Sequence, residues 1–266
     1  MSHLRYVIDG NVATLVLNHP PQNRIDKQMS EELAAAVEAI SRSEAAAVLI
    51  RSEGPDFCCG GDIRTWPDTD LSELRALFEY HMAVFNSVEQ LPLPVIAAVQ
   101  GVCTGGGLEL AIRADVIFAG ESARFGHSEA TVGIVTLLGG VYRVAECAGR
   151  ARAIEWALTA EQIPAAVMAD AGVVNHVVAD HSLLKEATAF AQKVATGATR
   201  AHAAHKALLR SWAVGGIAAA DQVMFDIAMP LFETADAKTA LTAAVAAFRA
   251  GKPRPVPRVQ GALRGS

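Results

Sequence analysis

The most constraining stretch of the chain is Pro94–Ala111. An apolar run, Val95-Ile96-Ala97-Ala98-Val99, passes through Gly101 into Gly105-Gly106-Gly107 and straight into a helical segment, Leu108 to Arg113. A short apolar run rich in β-branched residues and bounded by Pro and Gly reads as a buried strand. The glycine triplet cannot continue that strand, and it lets backbone approach backbone closely where the helix begins. The same rhythm appears upstream, where Ala47 to Ile50 is followed by the glycine-rich loop Gly54 to Asp62, and downstream at Val116 to Ala119. A chain that repeats strand, glycine loop and helix to about residue 180 packs helices on sheets, which predicts a mixed α/β fold.

Around that pattern the other elements are simple to place. Leu4, Tyr6 and Ile8 alternate, Asp9-Gly10-Asn11 supplies turn chemistry, and Val12 to Leu17 resumes as a strand, so the chain opens on a hairpin. Met29, Leu33, Val37 and Ile40 recur at helical spacing, as do Leu74, Leu77, Phe78, Met82 and Phe85. After Val173 to Val178 the pattern turns helical and alanine-rich to the end. No low-complexity linker intervenes, which predicts an appended helical region and an extended, mobile tail over Lys252–Pro257.

Composition narrows the function classes. With 266 residues the chain can bury a sizeable core, and a formal charge of −5 disfavours a protein that coats nucleic acid or an anionic membrane. The basic residues Arg249, Lys252, Arg254, Arg258 and Arg264 read as a solvated tail. No signal-peptide pattern opens the chain and no run approaches the roughly 20 consecutive apolar residues of a bilayer span, so a cytoplasmic protein is expected. Cys58, Cys59, Cys103 and Cys147 form no C-x-x-C pair and no metal-ligand spacing, which points to small buried side chains and no metal site. The spacing G-x-G-x-x-G is absent, so the glycine triplet is not a dinucleotide fingerprint.

Two glycine loops carry the candidate chemistry. Gly105-Gly106-Gly107 opens a helix, where backbone N–H groups lack intrahelical acceptors and point outward. Phe57-Cys58-Cys59-Gly60-Gly61-Asp62 again follows a strand. One N–H from each loop would suffice to hold an oxyanion. Glu109 lies two residues past the triplet, and Glu129 follows in Phe125-Gly126-His127-Ser128-Glu129. Taken singly, each glutamate is an ordinary helix-start or surface carboxylate.

Together these segments resemble the crotonase (enoyl-CoA hydratase/isomerase) superfamily. The resemblance rests on Pro94 to Gly101, Gly105-Gly106-Gly107-Leu108-Glu109-Leu110-Ala111, Ala114-Asp115, and Ala123-Arg124-Phe125-Gly126 with Glu129 and Gly133. Phe57 to Ile63 is similar to that family's F-x-x-G-x-D-[IL] segment, and Asn18-His19-Pro20 with Asn23 to its opening N-x-P…N. Leu158-Thr159, Ala165, Ala169, Gly172 and Val173-Val174 resemble a later segment, so the match covers about residues 5 to 180.

The resemblance implies a spiral of repeated β-β-α units over residues 1–195 and a helical C-terminal region, 196–266, through which relatives form trimers or hexamers. It implies an oxyanion hole from the N–H groups of Gly61 and Gly106, and acid/base roles for Glu109 and Glu129. Arg24, Gly60, Asp62, Ile63, Arg64, Gly105 and Leu137 fall in the segments that meet the acyl-CoA, and Phe248 and Lys252 where relatives reach a neighbouring subunit's CoA. The implied reaction is reversible addition of water to a 2-enoyl-CoA. Coenzyme A is part of the substrate and no other cofactor is needed. A double-bond isomerase is the alternative enzyme, and a CoA-ester- or RNA-binding relative the alternative non-enzyme. Three departures stand out: Gly61 where alanine is usual, His127-Ser128 in place of Gln-Pro, and Gly133 to Gly140 without the usual Pro-Gly.

Overall fold

The computed structural model describes residues 1–253, so the part of the predicted tail from Arg254 onward lies outside the described residues. The main sheet has six strands in the order β1 (Leu4–Asp9), β2 (Val12–Leu17), β3 (Ala47–Ser52), β4 (Val95–Val99), β6 (Val116–Gly120) and β9 (His176–Val178). Only the β1–β2 hairpin is antiparallel; the other neighbours are parallel. Parallel neighbours need crossovers, and these are supplied by α1 (Lys27–Ser41), α2 (Leu71–Glu89) and α3 (Gly106–Ala111) among others. Because strand side chains alternate between faces, the central strands feed two cores. Leu15, Val48, Ile50, Val95, Ala97 and Ile117 enter the larger one, beneath α1 and α2. Val12, Leu49, Ile96, Ala98 and Phe118 enter the smaller, capped by Leu183, Ala187 and Ala191 of α7 (Leu183–Ala195). Strands buried on both faces read as continuous apolar runs, which is how Val95–Val99 reads.

A second sheet of three short strands, β5 (Val102–Thr104), β7 (Arg124–Gly126) and β8 (Ile163–Pro164), positions the candidate site. Thr104 pairs with Gly126 in the parallel β5–β7 register, and Gly105 N donates to Gly126 O at 2.9 Å. That register sets the turn before α3 beside the segment leading to Glu129. On the other edge of β5, Cys58 N donates to Val102 O at 3.1 Å and Thr104 N to Cys58 O at 3.0 Å. The upstream glycine loop is thereby laid along the same strand. Gly107 is required by this approach, since a Cβ there would overlap the Cys58 carbonyl.

Helices α4 (Gly140–Ala148), α5 (Arg150–Thr159) and α6 (Ala165–Asp170) complete the body, and α8 (Thr199–Ala228) and α9 (Ala235–Arg249) follow. Helix α8 is broken at Gly215 and Gly216, whose backbone angles are non-helical. The stretch Thr199–Glu233 is long and apolar enough to cross a membrane by length and composition, with mean hydropathy 1.2 and none of its apolar window buried. Charged residues interrupt it, so a count of consecutive apolar residues passes over it. Its first half is tied to the body, because Lys206 Nζ donates to Asp115 Oδ2 at 2.7 Å and to Leu93 O at 2.9 Å.

Candidate active site

The two glycine loops meet. A methyl group built on Gly106 would stand 3.7 Å from the Gly61 nitrogen, and one built on Gly60 would stand 3.6 Å from the Gly106 nitrogen. Ile25 N donates to Gly60 O at 2.9 Å and Asp62 N to Ile25 O at 2.8 Å, which leaves the intervening Gly61 N–H turned away from that ladder. Neither Gly61 N–H nor Gly106 N–H, the latter in the first turn of α3, meets an acceptor among the described residues. Both N–H groups border one cavity of about 420 Å³.

Glu109 and Glu129 line the same cavity. Glu109 is 2 % exposed, and its Oε1 accepts Leu138 N–H at 2.7 Å and Gly140 N–H at 3.0 Å. Leu138 is itself held: its carbonyl accepts from Arg113 Nη2 at 2.7 Å, and the fully buried Arg113 reaches Glu89 Oε2 at 2.5 Å and Asn86 Oδ1 at 2.8 Å. Burial, and next the charge of Glu129, push the Glu109 carboxyl up from 4.5 to about 7, against the pull of the two N–H donors. Burial likewise raises Glu129, whose Oε2 is buried without a partner among the described residues, while its Oε1 lies 3.4 Å from where a Gly105 Cβ would stand. Two carboxyls in one enclosed space resist ionising together, so the pair retains a proton into the neutral range. One member is then available as base and the other as acid.

The chain matches the enoyl-CoA hydratase/isomerase family over residues 8–248. It belongs to that family. It is 32 % identical over 246 residues to a probable enoyl-CoA hydratase of Rhizobium meliloti, covering 91 % of this chain and 94 % of that one. It is 31 % identical over 200 residues to a 1,2-epoxyphenylacetyl-CoA isomerase of Escherichia coli, covering 72 % and 76 %. An enoyl-CoA hydratase crystal structure from Bacillus anthracis superposes with a TM-score of 0.86 at 26 % identity, covering 96 % of this chain and 99 % of that one. The crotonase fold expected from the motifs is therefore the fold of this chain.

Against the family's pattern, the glycine at Gly61 has a local cause: an alanine methyl there would stand 2.9 Å from Trp66 Cζ2. His127 is buried with neither ring nitrogen partnered among the described residues, burial pushes its imidazole down to about 4, and its Cε1 lies 3.0 Å from where a Gly140 Cβ would stand. The ring thus stands beside the first residue of α4. Leu137 lines the cavity, as do Ile63, Gly105 and Arg24. Arg24 Nη1 donates to Cys59 O at 3.3 Å and Gly61 O at 3.4 Å. Asp62 and Arg64 instead pair with each other, and neither is in the cavity wall. Asn23 is structural, its Nδ2 donating to Glu53 O at 2.8 Å and Asp56 O at 2.9 Å.

Cys58 and Cys103 are buried as expected, but Cys59 is only half-buried and Cys147 is exposed; desolvation raises the Cys58 thiol to about 12 and that of Cys59 to about 11. Folding does gather three possible metal ligands that the spacing did not show, His3, His19 and Asp26. The two imidazoles are stacked, centroids 3.7 Å apart and 7° from parallel, so an ion shared between them would lie outside both ring planes. His3 Nδ1 meets Asp26 Oδ2 at 2.8 Å instead. Sequence reasoning also missed His81, a buried cavity residue whose Nδ1 lies 2.6 Å from Ser30 Oγ, and it gave Trp66 no place in the wall. The helical spacing of Ser30 and His81 in their own segments is the same as that of core residues, and only the packing of α1 on α2 sets them apart.

Proposed function

We propose that the chain is an enoyl-CoA hydratase: it adds water reversibly to a 2-enoyl-CoA, with Glu109 and Glu129 as the acid/base pair and the N–H groups of Gly61 and Gly106 as the oxyanion hole. The observation that carries this reading is the convergence of two unengaged N–H groups and two raised carboxyls on one cavity. The family acts on acyl-CoA thioesters. With the thioester oxygen between the two N–H groups, the carbonyl is polarised and the β-carbon becomes electrophilic. The ionised carboxylate takes a proton from water as the water oxygen bonds to the β-carbon. The electron pair of the double bond moves onto the thioester as an enolate. The protonated carboxyl then delivers its proton to the α-carbon. Atoms and charge balance with no cofactor beyond the CoA carried by the substrate. Each proton transfer contributes about 10²–10⁴-fold in rate, and an oxyanion donor about 3–4 kcal/mol.

We extend the reading to assembly. Val214, Ile217, Phe225, Phe232 and Phe248 are all more than half exposed on the C-terminal helices. Exposed apolar side chains gathered on one helical region suit an interface, and on them rests our reading of residues 196–266 as the oligomerisation region of a homotrimer or homohexamer, with a cytoplasmic location as part of the same proposal; light scattering measures the state directly. The catalytic test is product analysis on crotonyl-CoA and a 3-alkenoyl-CoA. Formation of 3-hydroxyacyl-CoA, lost in Glu109→Gln, supports hydration. A shifted double bond alone assigns isomerase chemistry.

A further inference from the structure

Helix α2 borders two spaces. Leu71, Leu74 and Phe78 lie on an open apolar hollow of about 950 Å³, and Phe78 and His81 lie on the catalytic cavity. His81 is the polar member of an aromatic stretch of that cavity wall. It follows Phe78 by one helical turn, their ring centroids 6.5 Å apart, and Phe78 meets Trp66 edge-on at 4.9 Å. The residue is 4 % exposed, and its Nδ1 is turned to Ser30 Oγ of α1, 2.6 Å away. Nε2, on the other side of the ring, has no partner among the described residues and is not sealed within the body, so it opens on the cavity.

The bonding pattern assigns the hydrogen on that ring. Burial pushes the imidazole down to about 4, so at neutral pH it carries one N–H. Ser30 is buried and its Oγ bonds to nothing else among the described residues, which leaves Nδ1 as the acceptor for the hydroxyl hydrogen. The opposite arrangement would bury that hydrogen without an acceptor. Nδ1 therefore accepts, and Nε2 presents an N–H to the cavity. The proposed hydration makes no use of this donor. The thioester oxygen lies between the N–H groups of Gly61 and Gly106, and the phosphates of CoA cannot be enclosed beside an uncharged group.

We propose that Nε2–H of His81 reads an oxygen on the acyl group, so that the substrate class is 2-enoyl thioesters carrying an ether, hydroxyl or keto oxygen beyond the double bond. His81 is then a specificity-determining residue, and Ser30 positions it by holding Nδ1. The proposal rests on the hydratase reading for the identity of the reacting end. A purely hydrocarbon chain lying against Nε2–H takes its water away and supplies no acceptor, which weakens binding about fivefold to a hundredfold.

The test uses the full-length protein with trans-2-decenoyl-CoA and analogues in which one methylene beyond the allylic carbon is an ether oxygen, one position at a time. Calorimetric binding of decanoyl-CoA and its ether analogues runs in parallel. One ether position should exceed the hydrocarbon in kcat/KM about fivefold to a hundredfold. His81→Phe combined with Ser30→Ala keeps an aromatic ring, leaves no hydroxyl unpaired and should abolish that preference. His81→Gln, whose side-chain amide can donate in place of Nε2–H, should retain part of it, and thermal melts verify that each variant is folded. A wild-type profile with no preferred ether position overturns the proposal without recourse to any variant, since the donor would then meet the pantetheine arm common to every ester. So does a preference that survives undiminished in the folded double variant. If no ester is hydrated, the hydratase reading falls and binding decides. An ether analogue bound more tightly than decanoyl-CoA then sustains the proposal, and equal binding overturns it as well.

Discussion

In the catalytic cavity a single carboxylate oxygen, Glu109 Oε1, gathers two backbone N–H groups at 2.7 and 3.0 Å, and the carbonyl of one donor residue is tied to a buried guanidinium. The hollow next to it is walled by Leu74, Phe78, Met82 and Val132, with one ion pair at its rim. The two spaces share a wall and differ in what holds them. Directional bonds in low dielectric tolerate little displacement, whereas apolar contact scales smoothly with the area covered. Damage to the cavity should therefore be abrupt, and damage to the hollow graded.

The largest expected effect is that of Glu109→Gln, a loss in kcat of about 10²–10⁴-fold; steady-state hydration measures it, and a loss below tenfold would assign the proton transfer to another group. Next comes Gly61→Ala. The new methyl meets Trp66 and must shift either the indole or the oxyanion N–H, for a loss of about 10²–10³-fold. Adding Trp66→Leu to the same chain should restore most of it, which separates crowding from any intrinsic need for glycine. Arg113→Met leaves Glu89 paired with Arg143 but strips the Leu138 carbonyl and Asn86 Oδ1 of their donor, and urea unfolding should show a stability loss of about 2–4 kcal/mol.

A smaller effect concerns pH. The Glu109 carboxyl rises from 4.5 to about 7 on folding, so between those values the folded chain holds a proton that the unfolded chain releases. Stability must then fall as pH rises through that window, by on the order of 1–3 kcal/mol. Glu109→Gln should flatten this slope and stabilise the fold at neutral pH even as it removes activity. At the bottom of the scale, Arg75→Ala breaks an exposed i,i+4 pair and should change stability by no more than about 0.5 kcal/mol. A larger change would mean that the rim of the hollow is held more like the cavity.

Legibility in the sequence followed how local the cause was. Glu109 is two residues from its glycine loop and Glu129 three residues past the β7 strand end, so both could be named as candidates, and the family resemblance joined them as a pair. Asp62 and Arg64 are just as close to a glycine loop, yet they satisfy each other across two residues and leave the cavity wall. Spacing cannot tell a side chain aimed at a ligand from one aimed at its neighbour. Leu74 and Phe78 show the same limit on a helix. Their periodicity is that of core residues, but the body ends before it reaches them, and the stripe lines an open hollow. The Gly61 departure was visible, and its cause, an indole five residues on, was not.

The strand–glycine–helix rhythm thus determined the α/β class, because strands, turns and helix starts are set by neighbours within a few residues, whereas the family, and with it the glutamate pair as candidates, came from motifs that resemble known relatives. Tertiary structure alone decided that the loops of Gly61 and Gly106 abut, that Arg113 anchors Glu109 through Leu138, and that Trp66 occupies the place of a missing methyl. Each of these joins segments that are far apart in the chain or turns on how side chains pack. The electrostatics followed the same division: a carboxyl at about 7 comes from enclosure, and enclosure is a property of the folded whole.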